Sequence, residues 1–490
     1  MMQAPWFRVL TFASAIAAMV GTQGVASPTA FAQSNLFDAP GAESEVIDST
    51  LQFHPALAVG LSAVDAARAS GTAADSLYDT LVGARGTVTP LGYYQSWRLE
   101  TSVEQLTPFW GMSVFGGYRL GLGDFASYYG ERATLNGGEL QVGVRVPLLR
   151  DRRVDRARAG REQADLGIDA ADAALQMEQL RLARLASESY WRWVGALERY
   201  RIANELLQIA LERDTWLVAR VQAGAIAAIE QTENQRAVLD RQARLVGAQR
   251  EVERASIALS LYWRSEEGVP RVPSQGGSTP PQWPELPTLS NADDYVEQAI
   301  ALRPEFARLV AQRERARVSA DLARNNVQPR LDGAVSVSQD MGSRPEEFAD
   351  TNGPTVLDAS LSFSLPVQRR LARSEQQAAE AELMRVEAEV QQLSERLQTE
   401  VLDALSAYDR AVERVQLAEQ SVAVAIALVD GERQRFDAGA TTLFFVNVRE
   451  QAAAEAQESL VAARAEVGLA MAQLRAAVGV LLPQDFTAAR

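Results

Sequence analysis

Apolar and polar residues alternate strictly along Leu140-Gln141-Val142-Gly143-Val144-Arg145-Val146-Pro147. The pattern then lengthens: Leu166, Ala170, Ala173, Met177 and Leu180 recur at spacings of three and four. A two-residue period marks a strand with one apolar face, and a period near 3.6 marks an amphipathic helix. The same sequence of patterns returns later. Leu357 to Pro366 alternates in the same way and runs into the charged stretch Arg369 to Glu375. The two prolines lie 366 − 147 = 219 positions apart, and Gly224 and Gly439, each in an Ala-Gly-Ala turn, lie 439 − 224 = 215 apart. A near-constant offset between unlike landmarks indicates a duplicated unit, each half of which leaves surface for the other to cover.

Each unit pairs two strands with one long helix and its return. The first has strands over about 107–120 and 138–147, the second over about 330–339 and 356–365. One uniformly apolar face fits a half-buried antiparallel sheet, and it also fits a membrane barrel with lipid outside and water within. A length of about 9–11 residues is what a tilted membrane strand needs. Long polar loops join the strands, one holding Tyr128, Tyr129 and Glu131 and the other Arg344, Glu346, Glu347 and Asn352. Phe109, Trp110, Tyr118 and Phe125 lie near strand ends, which fits an interfacial girdle and equally fits scattered core aromatics.

No proline occurs from Leu148 to Val269 or from Val367 to Leu482, and one glycine turn breaks each stretch. Long helices are therefore expected over about 150–221 and 368–436, with returns over about 226–263 and 443–478. At 1.5 Å per residue each outgoing helix reaches roughly 100 Å. Its narrow seam, rich in alanine, must pack on the return helix and on further copies. Short helices broken at Pro55 and Pro304 precede the strands and supply the length the returns lack. These two prolines are 304 − 55 = 249 apart, so repeat one carries an extra segment, about 72–106, that reads as β-rich. The organisation expected is a signal peptide over 1–32 and a loose segment over 33–45. Repeat one follows over 46–267, then a Pro/Gly/Ser linker over 268–291, repeat two over 292–480 and a tail over 481–490.

Composition narrows the setting. Arg8 precedes an apolar run from Val9 to Val20, and Ala30-Phe31-Ala32 offers small residues before Gln33, so the 490-residue chain reads as exported. Cysteine is absent, which removes disulfides, thiol chemistry and a lipid-accepting cysteine. The single histidine, His54, precedes Pro55 and reads as a helix-entry residue. Net charge is −15, against nucleic acid and against a polybasic membrane patch. Neither a catalytic constellation nor a cofactor or metal site stands out, and the chain reads as no enzyme.

The ordered set of signal, short helix, strand pair, long helix, glycine turn and return helix, written twice, resembles the TolC-type outer-membrane efflux protein family. The pieces most similar to it are Arg303 to Leu331, Leu361 to Arg373 and Arg435 to Gln457. The resemblance covers essentially the whole mature chain. It implies a mainly α fold with a membrane β part: a two-repeat protomer of long coiled-coil helices plus four strands. A homotrimer would form a 12-stranded barrel on a periplasmic helical tunnel. The implied role is a passive exit duct in the outer membrane of a Gram-negative bacterium, not lipidated. Its implied partners are a periplasmic adaptor, an inner-membrane pump of RND or ABC type, and outer-membrane lipid. Gly224 and Gly439 become the periplasmic tip turns, with Glu230, Phe436, Thr441, Phe445 and Val448 at the constriction. Glu230 and Phe436 stand where the family has an acid and an aromatic, and Glu233 is a weaker match. Phe445 and Val448 are apolar where the family has acids, which fits either partly hydrophobic closure or, for Phe444 and Phe445, plain helix packing. Arg145 and Asp358 have the parity of the barrel lumen. An alternative is a periplasmic coiled-coil adaptor or scaffold whose strands form a soluble sheet.

Overall fold

The computed structural model describes residues 41–125, 133–273, 283, 286, 287, 289, 291–342 and 355–480. The signal region, the loop aromatics Tyr128 and Tyr129, the loop charges from Arg344 to Asn352, most of the linker and the tail lie outside the described residues.

Helices α1 (Gly41–Phe53) and α2 (Pro55–Asp75) open the first repeat. His54 sits at their junction, where its ring nitrogen accepts from the Ala56 N–H at 3.2 Å and Pro55 begins α2. A side-chain acceptor at the cap and a proline in the first turn cover N–H groups that a helix start leaves unpaired. Four strands follow: β1 (Leu81–Thr89), β2 (Ser96–Leu106), β3 (Ser113–Gly123) and β4 (Glu139–Pro147). The long helix α3 (Arg156–Gln222) returns as α4 (Ala228–Leu259). The second repeat runs α5 (Ala292–Leu302), α6 (Pro304–Asn326), β5 (Arg330–Asp340), β6 (Thr355–Ser364), α7 (Arg370–Asp437) and α8 (Leu443–Val478).

All six strands form one antiparallel sheet in sequence order, β1 to β6. The four expected strands are β3, β4, β5 and β6. Among the described residues the sheet has two more, because the extra β-rich segment supplies the β1–β2 hairpin. Other boundaries shift for local reasons. Strand β3 begins at Ser113 because Trp110 and Gly111 adopt positive φ (+53° and +66°) and turn the chain. Helix α3 begins at Arg156, where the Asp155 carboxylate accepts from the Arg158 N–H at 2.8 Å. The segment expected to be loose over 33–45 is already helical from Gly41, and α4 stops at Leu259, short of the expected 263.

The repeats interlock. Helix α3 packs on α2 and α4 of its own repeat and on α6 and α8 of the other. The main core joins Val46, Ile47 and Leu51 of α1 to Leu180, Ala186, Tyr190, Trp191 and Val194 of α3, and to Ala476 of α8. Glycine sets one approach here: a Cβ on Gly468 of α8 would lie 2.3 Å from Cδ2 of Trp191. Glu43 of α1 is wholly buried in the same region, beside Ser187 of α3 and 3.5 Å from Arg475 of α8. Among the described residues no helix is long and apolar enough to cross a membrane.

Candidate functional site

Two places at opposite ends of the long helices carry the candidate residues, and the first is the sheet. Directly opposed residues in neighbouring strands share a face, so the register sorts every side chain. On one face lie Val114, Tyr118 and Leu120 of β3, then Leu140, Val142, Val144 and Val146 of β4. Leu331, Val335 and Val337 of β5 and Leu357, Ala359, Leu361 and Phe363 of β6 continue it. That face carries no charged residue on any of the six strands.

All charges of the sheet stand on the other face. Strands β1, β2 and β3 contribute Arg85, Arg98, Glu100, Glu104 and Arg119. The rest are Glu139 and Arg145 of β4, Arg330, Asp332 and Asp340 of β5, and Asp358 of β6. Both sequence-predicted candidates, Arg145 and Asp358, are therefore on the charged side. The Arg145 guanidinium reaches across β3 to Glu104 of β2 at 3.2 Å and lies over the Phe115 ring, 5.4 Å from its centroid. Arg119 pairs with Glu139. On the uncharged face, Val142, Val337, Leu357 and Leu361 are exposed. Aromatics mark both ends of the sheet, Phe109 and Trp110 toward the helices and Tyr93, Tyr94 and Trp97 at the far end.

The second place is the pair of helix reversals. Gly224 and Gly439 adopt φ +67° and +69°. Ala225 N–H bonds Arg220 C=O at 2.9 Å, and Ala440 N–H bonds Arg435 C=O at 2.8 Å, so both repeats close α3 and α7 with the same capped turn. At roughly 1.5 Å per residue these turns lie ~100 Å from the strand end of each helix. Phe436 is half-buried, packing with Ile226 on Leu217, Leu443 and Val446, 6.5 Å from the Trp216 ring. The Glu230 carboxylate accepts from the Leu443 N–H at 2.9 Å, so an acid of repeat one caps the return helix of repeat two. Thr441 is half-buried, Glu233 bonds Arg236 at 2.9 Å, and Phe445 and Val448 face outward. The two phenylalanines 444 and 445 meet edge to face at 5.5 Å.

Sequence reasoning missed a polar cluster behind these turns. Glu450 of α8 is buried and receives three arginines: Arg213 of α3, Arg241 of α4 at 2.8 Å and Arg433 of α7 at 2.8 Å. Burial alone would raise its pKa, but hydrogen bonds and charge from the three guanidiniums outweigh that and hold it down to about 2. Arg213 also reaches Asn447 at 2.8 Å, and Arg241 the Leu206 carbonyl at 2.8 Å. One carboxylate thus ties all four tip helices together. Its partners are scattered over more than two hundred positions, and no local motif announces them.

The comparisons agree with this geometry. Residues 295–480 match the family described as outer membrane efflux protein. No curated protein matches the chain. Among solved structures it is similar to CusC, described for folding and transmembrane channel formation, at 15% identity and TM-score 0.63 over 91% of this chain and 94% of that one. It is similar to the outer membrane protein VceC of Vibrio cholerae at 16% identity and TM-score 0.60, over 89% and 96%. For the CmeC outer membrane channel of Campylobacter jejuni the values are 13% and 0.59, over 91% and 87%. Residues 295–480 thus resemble the outer membrane efflux proteins in sequence, and the described chain as a whole shares the fold of these channel structures.

Proposed function

We propose that the chain is the outer-membrane exit duct of a tripartite efflux or type I secretion system. It would be a passive conduit from periplasm to exterior with no catalysis of its own. The observation that carries this reading is the sheet: one face without a charge, the other with every charge, at one end of helices ~100 Å long. A soluble sheet gains nothing from an exposed uncharged face of this extent, whereas a barrel wall needs lipid outside and water within. Six strands fall short of the eight of the smallest membrane barrels, so one copy leaves edges that lipid cannot satisfy. A homotrimer meets that constraint by cyclic symmetry.

In this assembly Arg145 and Asp358 line the lumen, and the helices form a tunnel across the periplasm. The turns at Gly224 and Gly439 form the inner tip, where a periplasmic adaptor and an inner-membrane RND or ABC pump would meet the duct. Three copies of the exposed Phe445 and Val448 converging on one axis would hold the tip closed by excluding water. Glu230 and Phe436 set the angle of the return helix behind them. The chain would reach this place by a cleaved signal, without lipidation. Membrane fractionation tests the reading: recovery in the outer membrane as a heat-sensitive oligomer supports it. Recovery as a soluble periplasmic protein would sink it in favour of an adaptor or scaffold.

A further inference from the structure

Among the described residues strands β1 and β2 have no counterpart in the second repeat, yet they obey the face rule of the other four. Val82, Ala84, Gly86 and Val88 of β1 fall on the uncharged face, opposite Val103, Thr101, Leu99 and Trp97 of β2. Arg85 of β1 and Arg98, Glu100 and Glu104 of β2 fall on the charged face. The two strands are 9 and 11 residues long, within the range of tilted membrane strands. The hairpin also supplies the aromatics Tyr93, Tyr94 and Trp97 to the far rim, as barrel walls do. Its β2 is bound to β3 along the full strand, Ser96 to Leu106, and on the charged face Glu104 reaches Arg145 two strands away.

The sheet therefore ends at β1 on one side and β6 on the other. Each pairs along one edge only, and residues of both faces are exposed along each, with Val82 76% and Leu361 69% accessible on the uncharged face. The two edges run in opposite directions, since β1 is an odd and β6 an even strand of a sequential antiparallel sheet. Joining them keeps every neighbour antiparallel, which an even number of strands per copy requires.

Resting on the trimeric conduit proposed above, we infer that β1 of each copy pairs with β6 of the next. The closed barrel then holds 3 × 6 = 18 strands rather than twelve. If β6 paired with β3 of its neighbour instead, the eleven-residue β2–β3 ladder would be lost and the uncharged face of the hairpin would meet water. An 18-stranded wall has about one and a half times the perimeter of a twelve-stranded one, in the range where barrels enclose an aqueous channel. Its lumen gains the charges of β1 and β2 in three copies. Selection and closure then fall to the helical tip and not to the mouth.

The chain contains no cysteine, so paired substitutions report contacts without background. One cysteine is placed at Val82, Ala84, Gly86 or Val88 and a second at Leu357, Ala359, Leu361 or Phe363. The full panel is oxidised in outer membranes, and β3 positions Val114 and Gly116 are paired with the same β6 sites as the competing set. The expected result is covalent dimers and trimers from at least one β1–β6 pair and none from the β3–β6 set. Absence of β1–β6 products across the panel overturns the inference. If β3–β6 products replace them in a membrane trimer, the conduit stands with twelve strands. If no pair links and the protein is soluble, the conduit falls as well. A second readout does not depend on cross-linking: Arg85→Cys should react with a membrane-impermeant maleimide and Ala84→Cys should not. Equal labelling of both would place the hairpin outside the wall.

Discussion

Replacing Glu450 with Gln probes the link between the four tip helices. Gln has the shape of the protonated acid, so the substitution mimics protonation inside the arginine cluster. The side chain of Glu450 is only 2% exposed and that of Arg241 4%. A carboxyl moved from an ordinary 4.5 to about 2 represents about 3 kcal/mol of stabilisation at neutral pH. The folded-state pKa is depressed, so this contribution is fully present above pH ~4.5 and is lost as pH falls toward and through ~2. Amide hydrogen exchange over α4 and α8 reads the consequence. At pH 7 Glu450→Gln should lower protection of the tip segments 234–241 and 443–450 by roughly a hundredfold, since each 1.4 kcal/mol is tenfold. The difference from wild type should narrow when both are compared near pH 3. Equal protection at pH 7, or a difference unchanged in acid, would refute the assignment of the cluster as the tie between the repeats.

Face parity can be tested by a swap on β4. Val144→Arg puts a charge on the uncharged face at a cost of about 2–4 kcal/mol near the bilayer midplane, so assembly in the outer membrane should fall. Arg145→Ser should leave it intact, and equal yields would show that the strand is not in a membrane. At the α3–α8 contact, Gly468→Ala drives a Cβ against the Trp191 ring and should cost about 1–3 kcal/mol, read as a lower thermal midpoint. At the turns, Gly224→Val and Gly439→Val should each cost about 1–3 kcal/mol from strain at positive φ. Asn at the same positions should be tolerated, because nothing lies within 4 Å of an added Cβ. Equal stability of the Val and Asn variants would show that φ does not govern these reversals.

Much of the fold was legible because it rests on local period and on punctuation. The alternation of Leu140 to Val146 and of Leu357 to Phe363 is complete, and Gly224 and Gly439 are the lone glycines closing their long helices. Strand β1 was less readable, since the residues holding its uncharged face include Ala84 and Gly86, which carry little apolar signal. The sequence therefore showed a β-rich insertion but not that it joins the sheet. Parity placed Arg145 and Asp358 on the charged face, because a period of two leaves no other choice. The tip chemistry was mostly hidden. That Glu230 caps Leu443 and that Glu450 gathers three arginines are contacts between helices far apart in the chain, and no spacing rule reaches across them.

The conduit itself is tested most directly by single-channel recording from protein reconstituted into planar bilayers. The wild-type oligomer should insert and give discrete conductance steps. A variant carrying Phe445→Ser and Val448→Ser should give larger or longer-lived openings, because both side chains face outward at the tip. Stable insertion of both proteins with no conductance in either would contradict a channel.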